Sequence, residues 1–161
     1  MSKEKIHGAV ILPGSYDPVT LGHLEMIKRA AEEYDEVYAV IFVNPEKKYN
    51  FSLEDRVKML ILATDEIENC LVSYSNGLVI DYMREHGIET IYKGYRNDTD
   101  LEYEKRQAEW NLAHGGYETR LVPCDEKFKG ISSTLARETI LSGGELTEIL
   151  PKKVIDFLSK R

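Results

Sequence analysis

The sequence predicts an α/β fold in a chain of 161 residues, a parallel five-stranded sheet flanked by helices. Three observations predict it. Short apolar runs bounded by turn formers alternate with longer segments whose apolar residues recur at helical spacing. No segment repeats with a period of roughly 20–50 residues, which excludes a solenoid. Clusters of Gly, Ser, Lys and Arg follow the strand-like runs, where parallel sheets bind their ligands.

"HGAVIL" (His7 to Leu12) and "EVYAVIFV" (Glu36 to Val43) have the Val, Ile and aromatic content of buried strands. Between them, "LGHLEMIKRAAEEY" places Leu24, Ile27, Ala31 and Tyr34 on one helical stripe, making a strand-helix-strand unit. "SLEDRVKMLILAT" reads as a helix with Ser52 as N-cap, Asp55 as its acidic companion, and Val57, Leu60, Ile61 and Ala63 as the buried stripe. "CLVSY" (Cys70 to Tyr74) is the third strand. "LVIDYMREHG" is a short helix ended by Gly87, and "ETIYKG" a strand that stops at Gly94. "LEYEKRQAEWNLAH" is helical, and "ETRLVP" is a fifth strand ending at Pro123. Helices beginning near Ser132 and at Pro151 complete the chain, Pro being well suited to a first helical position. This alternation implies right-handed crossovers and helices on both faces of a Rossmann-like sheet.

One domain, residues 1–161, suits a chain of this length. Apolar content of 42% and charged content of 30% are those of a soluble globular protein. A formal net charge of −7 argues against a nucleic-acid-binding face, although a locally basic pocket for a small anion remains compatible with it. No apolar run approaches the length of a membrane span and "MSKEKIHGAVILPG" lacks a signal-peptide pattern, so a cytoplasmic location is expected. Cys70 and Cys124 stand far apart, without a C-x-x-C or Cys/His cluster. Buried thiols are expected, with neither a disulfide nor a zinc site, and no residue is singled out as a metal ligand. No G-x-G-x-x-G follows the first strand, which excludes the usual dinucleotide oxidoreductase.

The stretch "LPGSYDPVTLGH" carries the densest chemistry. Gly14 allows close approach of the backbone, Ser15 offers a hydroxyl and an N–H, and Thr20 is placed to cap a helix whose first turn holds Gly22 and His23. Unpaired N–H groups and the helix dipole favour an anion there, and His23 has a ring N–H to donate from either a neutral or a protonated imidazole. Asp17 reads as a turn-stabilising side chain rather than a catalyst.

"GSYDPVTLGH" is similar to the T/H-x-G-H signature of the nucleotidyltransferase superfamily. Together with "GLVIDYMREHG", "KGYR", "LEYE" and "ISST", in that order and spacing, it resembles the bacterial phosphopantetheine adenylyltransferase family from about Gly8 to Ile155. The resemblance implies transfer of AMP from ATP to 4'-phosphopantetheine with Mg²⁺ present, by direct in-line displacement at the α-phosphate. A phosphate nucleophile needs no general base, so catalysis would consist of positioning and charge stabilisation.

On this resemblance His23 matches the residue that stabilises the α-phosphate, Lys47 the cation between the reacting phosphates, and Ser15 the hydroxyl shared by acceptor phosphate and nucleotide. Tyr16, Gly94, Tyr95, Arg96 and Glu104 match nucleotide-contacting positions. So do Phe128, Lys129, Gly130, Ile131, Ser132, Ser133 and Thr134 of "FKGISST", expected around adenine and the β,γ-phosphates. Leu78 and Val79 match the apolar positions beside the pantetheine arm, and Lys93 the acceptor-phosphate site. The family usually has Arg where Lys93 stands, Thr where Ser15 stands and Phe where Tyr16 stands; "NDTD" is more acidic than usual and "HGGYE" shorter. A homohexamer inhibited by coenzyme A is the family expectation. The alternatives are another small nucleotidyltransferase with a different phosphate acceptor, or a non-catalytic coenzyme A or nucleotide sensor.

Overall fold

The computed structural model describes residues 5–161. Residues 1–4, which open the expected 1–161 domain and the N-terminal segment read for a signal peptide, lie outside the described residues. The elements in chain order are β1 (Ile6–Gly14), α1 (Leu21–Glu33), β2 (Tyr34–Phe42), α2 (Leu53–Thr64), β3 (Cys70–Ser75), α3 (Val79–His86), β4 (Thr90–Tyr95), α4 (Asp98–Gly115), β5 (Glu118–Pro123), α5 (Ser133–Ser142) and α6 (Lys152–Ser159). A single 3₁₀ turn, Glu126–Phe128, follows β5.

All four pairings are parallel and the five strands lie in the order β3-β2-β1-β4-β5, as the alternating pattern predicts. Strand parity distributes the core. Val10 and Leu12 of β1, Val37, Ala39 and Ile41 of β2, and Tyr92 of β4 join Ile27, Leu60, Ala136 and Val154 in one apolar cluster. Their odd-numbered or even-numbered neighbours Ile11, Val40 and Ile91 turn to the other face and meet Tyr82, Met83 and Ile88 around α3. Both faces of the sheet are therefore covered, which is why its strands read as unbroken apolar runs.

The chain moves outward from β1 in one direction through β2 and β3, then returns to the other side for β4 and β5. This reversal creates a switch point between β1 and β4. Those two strands pair only at Val10 with Thr90 and Ile11 with Ile91, whereas β1 stays paired with β2 as far as Gly14. The C-terminal parts of β1 and β4 thus part company.

Several local expectations need correction. Tyr34 begins β2 instead of closing the stripe of α1, whose buried residues are Leu24, Met26, Ile27, Ala30 and Ala31. In α2 the inward residues are Arg56, Met59, Leu60 and Thr64, while Ile61 is 48% exposed, because the helix presents to the sheet a face rotated from the one its hydrophobicity suggested. Pro151 is the N-cap of α6 rather than its first helical residue. The acidic "NDTD" is the start of α4, with Asn97 capping through the N–H of Asp100. Gly87 does end α3, in the left-handed conformation with φ 67°.

The rotated face of α2 is testable by urea unfolding. Leu60→Ala is expected to lower the unfolding free energy by about 2–5 kcal/mol and Ile61→Ala by less than about 1 kcal/mol. Equal losses at both positions would contradict the placement of α2.

Candidate functional site

At the switch point the loop between β1 and α1 packs against the ends of β4 and β5 and the start of α5, and three cavities adjoin there. The first, about 420 Å³, has Ser15, Tyr16, His23, Lys93, Gly94, Arg96, Glu104, Phe128, Ile131, Ser132 and Ser133 in its wall, together with Tyr92, Asp100 and Cys124. The second, about 330 Å³, is lined by Phe42, Val79, Ile91, Ala108 and the polar Lys93, Gln107, Asn111 and Thr119. The third, about 280 Å³, lies among Lys47, Lys48, Asn50, Ser133, Thr134 and Arg137. Ser15 lines all three. Of the residues singled out in the sequence, Leu78 is half exposed, and Tyr95, Lys129 and Gly130 do not line these cavities.

His23 owes its geometry to the helix it begins. Thr20 is the N-cap of α1: its hydroxyl accepts from the His23 backbone N–H at 3.3 Å, and its own backbone N–H donates to His23 Nδ1 at 3.0 Å. An N–H can only donate, so Nδ1 presents its lone pair and the ring proton of the neutral imidazole resides on Nε2. Burial, reinforced by the positive charges of Lys93 and Arg96, lowers the His23 pKa from 6.5 to about 4. At neutral pH the ring is therefore an uncharged Nε2–H donor beside the cavity. The choice between neutral and protonated imidazole, open in the sequence, is resolved by a backbone amide.

Arg96 is held as a fork. Its Nε donates to Asp100 Oδ2 at 2.9 Å, the same carboxylate accepts the Arg96 backbone N–H at 3.2 Å, and Nη1 reaches the carbonyl of Ile131 at 3.5 Å. Lys93 Nζ lies 3.6 Å from Glu104 Oε1, and both side chains border the first and second cavities. Gly94 lies close to Met26: a Cβ there would meet Met26 Sδ at 2.7 Å and displace that side chain. Ser132 caps α5 through the N–H of Leu135, and Ser133 Oγ donates to the carbonyl of Pro18, so the α5 N-terminus is tied to the β1–α1 loop.

That loop is conformationally demanding. Tyr16 adopts φ 46°, a conformation that costs a non-glycine residue about 1–3 kcal/mol. Its phenol donates to the Leu12 carbonyl at 2.8 Å and burial raises its pKa well above the usual tyrosine value. Asp17 is buried and scaffolding, as its sequence context predicts: Oδ2 accepts from Asn50 N at 2.8 Å and Oδ1 from Phe51 N at 2.9 Å. These bonds hold the loop carrying Lys47 against the loop carrying Ser15. Arg137 Nη1 donates to the Asp17 carbonyl at 2.9 Å.

Residues 11–139, most of the chain, match the family model described as cytidylyltransferase-like. The chain belongs to that family. A cytidylyltransferase-like chain is a nucleotidyltransferase, and the candidate site lies where the strand order of the parallel sheet reverses, beside the N-terminus of α1. Among the described residues no helix is long and apolar enough to cross a membrane. Cys124 is buried and Cys70 partly so, and burial pushes the Cys70 thiol up to about 11, so both fit the inert role expected of them.

Asp100, Arg56 and Arg137 were not anticipated. The one available signal was the unusual acidity of "NDTD", which supplies the Arg96 partner. For the His23 ring, an NMR titration of the ligand-free protein should show no change near pH 6.5 and a midpoint near 4. Because the unfolded chain takes up this proton first, stability should fall as pH drops from about 6.5 toward 4. A midpoint at or above 6.5 would overturn the neutral-donor assignment.

Proposed function

We propose that this chain transfers the AMP moiety of ATP to 4'-phosphopantetheine, giving dephospho-coenzyme A and pyrophosphate. Residues 1–161 would act as one nucleotidyltransferase domain. An oxygen of the acceptor phosphate attacks the α-phosphorus, the new P–O bond forms in line with the bond to the β-phosphate oxygen, and pyrophosphate departs with that electron pair. His23 Nε2–H donates to an α-phosphate oxygen, where charge accumulates in the crowded transition state. The lone pair on Nδ1 supports this role, because the tautomer needs no change during the reaction.

Ser15 holds the boundary between nucleotide and acceptor, a role supported by its place in the walls of all three cavities. Tyr16, Gly94, Tyr95, Arg96, Glu104 and the Phe128 to Thr134 segment are assigned to ATP. The third cavity suits the β,γ-phosphates and departing pyrophosphate: three cationic side chains face a single carboxylate whose oxygens already serve backbone amides. Lys47 is assigned to the phosphates there. Mg²⁺ would neutralise the triphosphate. Among the described residues no group of three or more His, Cys, Asp or Glu side chains is arranged to hold a metal. Asp100 and Glu104 face cations instead, so the donor set fits an ion carried mainly by phosphate oxygens.

The acceptor assignment is carried by one observation in the second cavity. Its wall is apolar at Phe42, Val79, Ile91 and Ala108, yet among the described residues the buried hydroxyl of Thr119 has no hydrogen-bond partner. An apolar arm punctuated by amides would satisfy both features, with its phosphate at Lys93. A short polyol phosphate offers hydroxyls to Thr119 but leaves the apolar wall uncovered. By the same resemblance, coenzyme A is proposed as a feedback inhibitor, the assembly as a homohexamer and the location as cytoplasmic.

The test supplies purified protein with ATP, Mg²⁺ and single acceptors while pyrophosphate is measured. 4'-Phosphopantetheine should give turnover and unphosphorylated pantetheine none. If 4'-phosphopantetheine gave none while another phosphate acceptor did, the acceptor reading would be wrong. His23→Ala should lower kcat about 100- to 1000-fold with little change in ATP affinity. Equal loss of affinity and rate would remove its transition-state role.

A further inference from the structure

Arg56 closes the first turn of α2, where a charged residue would ordinarily be solvated, yet it is only 2% exposed. Among the described residues no carboxylate lies within ion-pair distance of it. The guanidinium instead donates to two main-chain carbonyls, Nε to Phe51 at 3.1 Å and Nη1 to Ser15 at 3.1 Å. It also stacks 3.9 Å from the ring centroid of Tyr49. That same ring lies 5.5 Å from Lys47 Nζ, and its hydroxyl accepts from the Asn44 N–H at 2.8 Å. A buried cation without a counter-ion is expensive, so its partners must be held tightly for it to persist.

We infer that Arg56 is a positioning residue of the phosphoryl site, setting Ser15 through its carbonyl and Lys47 through the Tyr49 ring. The two loops it joins are those that carry Ser15 and Lys47 to the walls of the third cavity. Between Ser15 and Asp17 the backbone passes through the positive φ of Tyr16, so the Ser15 carbonyl is the hold on one side of that conformation and the Asp17 bonds to Asn50, Phe51 and Arg137 are the hold on the other. Loss of the guanidinium releases the first hold only. The planar fork matters as well as the charge: an ammonium at this depth cannot span two carbonyls and lie flat on an aromatic face.

The inference rests on the nucleotidyl-transfer reading, and its test separates the two. Arg56→Gln and Arg56→Lys are made alone and in Ser15→Ala and Lys47→Ala backgrounds, with Met59→Ala as a buried control on the same helix. Arg56→Gln should lower kcat for pyrophosphate release about 10- to 100-fold, more than it raises KM for ATP. Arg56→Lys should recover part of that loss. In the Ser15→Ala and Lys47→Ala backgrounds the Arg56→Gln penalty should shrink, each background keeping only the share that acts through the group still present. Met59→Ala should lower the melting temperature with kcat within about twofold of wild type. Full additivity in both backgrounds, or a kcat loss in Met59→Ala equal to that of Arg56→Gln, would overturn the inference. Amide hydrogen exchange is read in parallel. Arg56→Lys should speed exchange in peptides covering 14–20 and 44–51 and leave the central strands unchanged, and unchanged exchange in both loops would also overturn it. Wild-type protein that binds ATP but releases no pyrophosphate with any acceptor would remove the proposed reaction, while the exchange result would still decide the role of Arg56.

Discussion

The backbone amide of Thr20, donating to Nδ1 of His23, couples the start of a helix to the electronic state of a ring that borders the first cavity. An ordinary capping box pairs Ser or Thr with Glu or Gln and only secures the helix end. Here the third residue is an imidazole, so the same reciprocal bonds also decide which nitrogen carries the proton. Burial, reinforced by the cations Lys93 and Arg96 across the cavity, then keeps the ring uncharged. Had the amide pointed elsewhere, Nδ1 would have been free to take the proton, and the far edge of the ring would have become an acceptor instead of a donor.

Around this centre the positive charges are arranged by restraint rather than number. Arg96 is clamped by Asp100, Lys93 is faced by Glu104, and Arg137 is anchored on the Asp17 carbonyl. A chain with an acidic net charge thereby concentrates cationic side chains at one end of its sheet. Each is held before any phosphate arrives, which reduces the ordering that binding must impose.

Much of this was legible in the chain, and the divide follows the range of the interactions. Strand-helix alternation, the Thr20 and Ser52 caps, the Gly87 stop and the polar clusters after β1, β4 and β5 are local signals, and the observed elements carry them. Asp17 was readable as scaffolding, although not its partners at Asn50 and Phe51. Arg56 was illegible because a lone arginine in "LEDRVKM" looks solvated until the loop from β1 folds over it. In the burial stripe of α2, Val57, Leu60 and Ala63 meet the core and only Ile61 does not, for a related reason. Hydrophobicity locates an apolar face, but packing against the sheet and α6 chooses the angle at which the helix settles, and Ile61 was left outside.

The short pairing between β1 and β4 has a further meaning. Beyond Ile11 the sheet is no longer one surface: it contains an interior margin, with the backbone of Leu12 to Gly14 bonded to β2 on one side only. Exposed sheet margins ordinarily invite another chain to add itself as a strand. Here the β1–α1 loop and the α5 start line the cavity beside that margin. The cleft is thus a seam in the architecture, produced by where two strands stop pairing, and side chains only furnish it.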